Sequence, residues 1–483
     1  MPNILTTSDL FEIGKGKKFP SINQEDISPS YTALQNYLKQ NQRSLLYGID
    51  TGFGPHAFDN NEDRLLNQKS LVYHLTVTPK EDFLSHEEAR AVFAARIHSL
   101  SLGGSGISYE LLELLRSILN QDIIPKIPVR GSLSASGDLI PLSSIALALL
   151  GENEWTGQGK HLAPSPSNGK TSKIQGLPRI LQPKEALSIT NGTSFTTSLL
   201  ALQTEKTKRL IFKVLDVLKI LFEFHPVYSD AFLPALHQTK KFDGPVTVAK
   251  FLHPTILKNP KQKQSGKKVQ DIYSVRCIPQ IIGALFDELI SISDLVEKEL
   301  NSLSDNPVFI PDENRFVEGG NFYASHVSFA ADRLQNVIAV LATWIERFIQ
   351  YLHNPHENDQ FTLSLSPEPG KYAGLSGLLI YATHLTAEIR RDSMPGSVQS
   401  LSSNGGNQDV VPMGAISIYR NRRCLKDVQE LVAILAYNVF QAGSIINRSL
   451  DHHIIFQNLQ TVKFDRDIRD DIKHIFDYLE NQL

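Results

Sequence analysis

Residues Gly131 to Leu142 read GSLSASGDLIPL, with Ala135-Ser136-Gly137 at the centre. Small residues between apolar segments ordinarily make a turn. They also permit a backbone reaction that larger residues would block. The amide nitrogen of Gly137 can attack the carbonyl carbon of Ala135 and close a five-membered ring, because glycine has no Cβ to obstruct the approach or the required dihedrals. Ser136 can then lose its hydroxyl as water, leaving an exocyclic methylidene. Ala135 is small enough to allow the compression. The product is an electrophile, a property no unmodified side chain supplies. Spacing alone leaves both the turn and the electrophile open.

Other segments carry polar or aromatic groups among turn-forming residues. They are Tyr47 to Gly54 (YGIDTGFG), Asn191-Gly192-Thr193, Val269 to Gln280 (VQDIYSVRCIPQ), Ser304 to Pro307 (SDNP), Gly319 to Phe322 (GGNF) and Asn407 to Gly414 (NQDVVPMG). Taken singly, each has an ordinary reading. Tyr47 caps a turn, Asn191 forms one, Phe322 is core, Arg276 makes a surface ion pair and His74 ends a helix. Gln270, Tyr273 and Arg276 follow one another at three-residue intervals, so one helical turn puts them on one side.

Taken together and in this order, the segments resemble the aromatic amino acid ammonia-lyase family: histidine, phenylalanine and tyrosine ammonia-lyases and the related 2,3-aminomutases. Ala-Ser-Gly-Asp-Leu-x-Pro-Leu is similar to the family's signature, and the resemblance implies that Ala135-Ser136-Gly137 becomes 4-methylideneimidazol-5-one (MIO) with no metal. It implies that the substrate amine adds to the methylidene carbon and that Tyr47 removes a β-proton. A tyrosine titrates near pH 10, so its surroundings must poise Tyr47 to act near neutrality. Arg276 is implied to hold the substrate carboxylate, which a guanidinium fork fits. Tyr273 and Gln270 belong to the same site, Tyr273 among its catalytic residues. Asn191 is implied to hydrogen-bond the prosthetic group and Phe322 to pack beside it.

The resemblance also bears on substrate. His74-Leu75 stands where the family sets ring specificity: phenylalanine lyases usually show Phe-Leu there, tyrosine lyases often His-Leu, and histidine lyases His followed by Ala. Gln408 stands where histidine lyases have a glutamate, and Asn404 is similar to tyrosine lyases. A neutral pocket with one imidazole suits a phenol, and a site built to bond a hydroxyl discriminates against its absence. The expected order is tyrosine, then phenylalanine, then histidine. An aminomutase and a catalytically silent helical scaffold are the other readings. Ser134, Ser144 and the stretch HENDQFTLSLSPEPG near residues 355 to 368 depart from the family pattern.

Positioning these residues falls to helices. Ser85 with Glu88 is a capping-box pattern before an apolar helix that Gly103, Gly104 and Gly106 end. Tyr109 to Leu119 and Pro141 to Leu150 read as short helices, and Asp122 to Arg130 as extended. Phe195 to Phe224, Tyr273 to Leu303, Val327 to His353, Leu375 to Arg391 and Asp427 to Ile446 read as long ones. Glu152 to Pro183 reads as a surface loop or small hairpin, and Asn259 to Lys268, with Lys258, as a mobile, solvated basic loop. The fold expected is mainly α, a long central helix bundle with a smaller N-terminal MIO-bearing region, in a fumarase/aspartase-like superhelical assembly. The expected divisions are residues 1–200, 201–450 and a tail at 451–483.

Composition excludes several alternatives. Of 483 residues, 48 are Lys or Arg and 51 Asp or Glu, a balance that argues against nucleic-acid binding by bulk charge. Two cysteines, Cys277 and Cys424, rule out a disulfide framework and a Cys-built zinc site; two buried free thiols are expected. The N-terminal residues lack a charged-then-apolar leader, and the longest apolar stretch, Leu431 to Ile446, is interrupted by Asn438 and Gln441. The expectation is a soluble, cytoplasmic protein without membrane or nucleic-acid partners. The resemblance implies a homotetramer with shared active sites.

Overall fold

Helical periodicity becomes helix almost throughout the computed structural model, which describes residues 4–39, 45–58, 63–157, 162–164, 172–174, 177–266 and 268–482. The chain folds as two units. Unit 1 comprises Met1–Glu205, Ser293–Asp332 and Pro395–Tyr419; unit 2 comprises Lys206–Ile292, Arg333–Met394 and Arg420–Leu483. The helices are α1 (Thr7–Gly14), α2 (Gln24–Lys39), α3 (Arg64–Leu75), α4 (His86–Ser101), α5 (Tyr109–Asn120), α6 (Leu139–Leu149), α7 (Glu185–Thr190), α8 (Ser194–Phe222) and α9 (Pro234–Gln238). There follow α10 (Asp243–Ile256), α11 (Tyr273–Arg276), α12 (Ile278–Leu300), α13 (Ser325–Leu352), α14 (Pro355–Asn358), α15 (Ser376–Arg391), α16 (Gly414–Ile445) and α17 (Arg469–Gln482). Among the described residues, strands are confined to two-stranded antiparallel ladders in unit 1: β1 (Ile124–Pro125) with β2 (Trp155–Thr156), β3 (Leu162–Pro164) with β4 (Ser172–Ile174), and β5 (Val308–Ile310) with β6 (Arg315–Val317).

Local chemistry explains the boundaries. Both halves of the capping box form at α4: Ser85 Oγ accepts from the Glu88 amide, and the Ser85 amide donates to the Glu88 carboxylate. Ser108 caps α5, whose buried Leu111, Leu112, Leu115, Ile118 and Leu119 form one helical stripe. In unit 1, α3 packs on α6 and α7, and α4 on α1, α5 and α7. In unit 2, the α16 residues Leu431–Phe440 are all buried, Asn438 among them, so this stretch of the helix forms core.

Three expectations change. The segment Tyr273 to Leu303 is two helices, α11 and α12, broken at Cys277; Pro279 lacks an amide proton and suits a first turn, not an interior. The helix expected to start at Asp427 starts at Gly414, because Ala415, Ile418, Cys424 and Leu425 carry a buried face back through the arginine-rich residues before Asp427. The basic loop is tied down: Lys261 pairs with Asp359 at 3.0 Å, Lys263 with Asp230 at 2.7 Å and Lys268 with Glu357 at 2.8 Å. Lys267 lies outside the described residues, as do the turn and flanks of the hairpin expected within Glu152 to Pro183. Both cysteines are free, Cys424 buried and Cys277 only half-buried. No described helix is long and apolar enough to cross a membrane.

Candidate active site

The loop carrying Ala135-Ser136-Gly137 is held by a buried polar cluster in unit 1. Asp138, fully buried, accepts from Ser132 Oγ at 2.6 Å, Thr196 Oγ1 at 2.5 Å and the Thr196 amide at 2.8 Å. Burial pushes the Asp138 carboxyl above its ordinary value, against these bonds. Ser134 adopts a left-handed φ of 59°, a conformation that favours glycine. Its hydroxyl compensates by bonding Thr196 Oγ1 at 2.9 Å and accepting from the Ala415 amide at 3.0 Å. Ala135 packs against Val411 and Met413.

Gly137 bridges to Gly192, and the Asp138 amide donates to the Gly192 carbonyl at 2.7 Å. Gly137 has φ 68°, and a Cβ there would stand 2.3 Å from the Gly192 oxygen, so only glycine fits. Asn191, at the end of α7, donates from Nδ2 to the Ser136 carbonyl at 2.9 Å, while its buried Oδ1 has no hydrogen-bond partner. Gln408 Nε2 donates to Ser136 Oγ at 2.8 Å and Gln408 Oε1 accepts from Ser403 Oγ at 3.0 Å. The tripeptide is thus gripped at its carbonyl and its hydroxyl, with no bulk at Gly137. That cradle fits a ring built from these three residues.

A cavity of about 690 Å³ opens on Ser136. Its lining includes Tyr47, Phe53, His74, Asn191, Asn306, Phe322, Asn404 and Gln408, and among its lining residues there is no Asp, Glu, Lys or Arg. Tyr47 lies in a turn braced by α3: Gln68 Nε2 donates to the Gly48 carbonyl at 2.9 Å and Asn67 Nδ2 to Thr51 O at 2.9 Å. The Gly54 amide donates to the Tyr47 hydroxyl at 3.0 Å, a bond that favours the phenolate. Burial outweighs it and, with the Glu318 carboxylate, raises the Tyr47 pKa. The expected poising of Tyr47 toward neutrality is therefore not built into this chain's folded surroundings.

Phe53 meets the Tyr47 ring edge-on at 6.2 Å and stacks on His74 at 6.5 Å and 27°. His74 is exposed, and its Nδ1 lies 3.2 Å from the Ser70 carbonyl. Leu75 is buried and absent from the cavity's lining, because the next residue on a helix points some 100° away. The β5–β6 hairpin brings SDNP and GGNF together, with Asn306 Oδ1 accepting from the Gly319 amide at 2.7 Å.

Gln270, Tyr273 and Arg276 lie in unit 2 and do not line that cavity. They do cluster: Arg276 Nη1 donates to Gln270 Oε1 at 2.6 Å, and the guanidinium lies over the Tyr273 ring at 4.6 Å. Arg276 Nε is buried without a hydrogen-bond partner, and Tyr273 is 68% exposed.

Sequence reading passed over Arg96, which lies in α4. Arg96 is fully buried, donates from Nε to the Ser188 carbonyl at 3.0 Å, and from Nη2 to the carbonyls of Ser188 and of Asn191, the latter at 2.8 Å. Burial lowers its pKa to about 10. The signal was present: every residue from Ala89 to Ser101 is buried, and a charge inside such a helix must be satisfied by partners.

Both the sequence and the fold match known proteins. A family model described as aromatic amino acid lyase matches residues 5–463. A histidine ammonia-lyase from Shouchella clausii is 32% identical over 422 residues, covering 86% of this chain and 83% of that protein. A tyrosine ammonia-lyase from Cupriavidus metallidurans is 33% identical over 426 residues, covering 83% and 79%. Among solved structures, tyrosine aminomutase from Streptomyces globisporus superposes with a TM-score of 0.87 at 28% identity, covering 100% of this chain and 97% of that one.

Proposed function

The chain belongs to the aromatic amino acid lyase family, and we propose that it eliminates ammonia from L-tyrosine to give p-coumarate, with L-phenylalanine as its second substrate. The observation that carries the choice of ring is a cavity wall that holds imidazoles, His74 and beside it His56, and no carboxylate. A phenol can hydrogen-bond an imidazole, whereas an imidazole substrate favours the carboxylate that Gln408 replaces. Histidine is the second reading, favoured by the similarity to the Shouchella clausii enzyme.

MIO formed from Ala135-Ser136-Gly137 supplies an electrophilic carbon that makes the substrate's ammonia a better leaving group. Asn191 holds Ser136 at its carbonyl, and before dehydration Gln408 holds the hydroxyl that leaves. Tyr47 takes the β-proton onto its phenolate oxygen, and the Gly54 amide steadies that oxygen. Arg276, oriented by Gln270 and Tyr273, binds the substrate carboxylate. Phe322 and Asn404 line the cavity beside the substrate ring, and Leu75 is buried on another face of α3. The active form is a homotetramer in which Tyr47 and Ser136 of one copy work with Arg276 of another.

Purified protein is incubated separately with L-tyrosine, L-phenylalanine and L-histidine. Coumarate, cinnamate and urocanate are followed by near-ultraviolet absorbance, ammonia in parallel, and the products by chromatography. Coumarate with stoichiometric ammonia is expected fastest. Urocanate alone would overturn the choice of tyrosine, a β-amino acid would assign an aminomutase, and no product from any of the three would overturn the lyase reading.

A further inference from the structure

Outside the candidate active site, unit 2 gathers Glu223, His452 and His453. One ligand atom from each lies within 4.8 Å of the other two, and among the described residues this is the cluster of metal-ligating groups. The two imidazoles are 4.0 Å apart between ring centroids, and His453 Nε2 is 3.8 Å from Glu223 Oε2. His453 Nε2 is buried with no hydrogen-bond partner, an arrangement that normally costs stability. We propose that Glu223, His452 and His453 form a binding site for a divalent transition-metal ion of the zinc type.

The donor set is chemically apt, since two imidazoles and one carboxylate suit zinc and leave a position for water. Donor atoms around a tetrahedral zinc lie about 3.3 Å apart, given bonds of about 2.0 Å. Closing from the observed separations needs only side-chain rotation, which the exposed His452 can supply. The backbone is already fixed. The His453 amide donates to Leu450 O at 3.0 Å and the Phe456 amide to His453 O at 2.9 Å, and both Leu450 and Phe456 are buried. Glu223 directly follows α8, whose C-terminal end carries partial negative charge and favours a cation.

Arg448, 3.3 Å from Glu223 Oε2, balances the carboxylate in the metal-free form. Its guanidinium also lies over the Phe224 ring at 5.6 Å, a contact that can hold it when an ion takes the carboxylate. An ion here would join the end of α8 to the turn after α16, two parts of unit 2 far apart in sequence.

The test uses the full-length protein, dialysed against chelator and titrated with zinc by calorimetry, and with cobalt by visible absorption. One equivalent per chain and a four-coordinate cobalt spectrum are expected. His452→Ala, at an exposed position, and Glu223→Gln should each weaken binding by about tenfold or more, with circular dichroism unchanged. Absence of zinc binding, or equal binding by the His452→Ala protein, would overturn the proposal. Neither outcome bears on the lyase reading, which is scored by its own products.

Discussion

Tyr47 is where residue-scale chemistry is most exposed to test. Its phenol is raised by burial and by Glu318, and lowered only by the Gly54 amide. With the phenolate as the proposed base, activity should climb as pH rises toward that elevated pKa. A profile of kcat/KM against pH should show an alkaline-rising limb that Tyr47→Phe abolishes along with activity. A flat profile through the neutral range would contradict a phenolate generated in these surroundings. In the proposed reaction His74 decides between rings by one hydrogen bond. His74→Phe should move preference from tyrosine toward phenylalanine by about tenfold or more, the size of one polar contact. Competition between the two substrates reads this directly, and unchanged selectivity would remove His74 from the specificity role.

At the scale of elements, the site is held by side chains that never touch substrate. Arg96 on α4 fans its donors onto the carbonyls of Ser188 and Asn191, fixing the end of α7 that presents Asn191 to Ser136. Lysine cannot reproduce that planar fork. Arg96→Lys should therefore lower kcat by about tenfold with KM nearly unchanged, the scale of one charge-assisted bond. A proportional rise in KM would argue against this positioning role. In unit 2, His225 is enclosed by Gln360 at 2.5 Å and Tyr351 at 2.6 Å, and burial drives its pKa from 6.5 to about 4. The folded state keeps this ring neutral, so stability is full above pH 6.5 and falls as pH drops toward 4. The loss is roughly 3 kcal/mol at most. Thermal melts over that range should show the decline, and His225→Gln should flatten it.

Gln360 belongs to the stretch that departs from the family pattern, so part of that stretch serves as packing for α8 and α13. The helices themselves were legible because capping signals and apolar spacing are local: Ser85 with Glu88, or Ser108 before the Leu111–Leu119 stripe. The break at Cys277 and the early start of α16 depend on which competing local preference tertiary packing favours, and spacing does not decide that. The tripeptide, Tyr47 and Asn191 were legible as a pattern. The bonds gripping Ser136 join residues as far apart as 136, 191 and 408, and no local pattern predicts those.

On the scale of the whole molecule, long helices of unit 2 leave large apolar side chains in solvent: Ile290 at 53%, Ile380 at 73% and, on α11, Tyr273 at 68% exposed. Such surface calls for a partner, and copies of the same chain are the simplest one. Sedimentation should give a tetramer. Mixing a Tyr47→Phe protein with an Arg276→Gln protein, after denaturation and joint refolding, should restore part of the activity that each lacks alone. No restoration would place both residues in the service of one chain. All of this chemistry depends on residues 135–137. Ring closure expels the Ala135 carbonyl oxygen as water, and Ser136 gives up its hydroxyl as another. Mass spectrometry of the peptide spanning Gly131 to Leu142 should find both waters missing from the native protein and Ser136→Ala unable to form the methylidene. A native peptide of full, unmodified mass would contradict the electrophile and with it the proposed reaction.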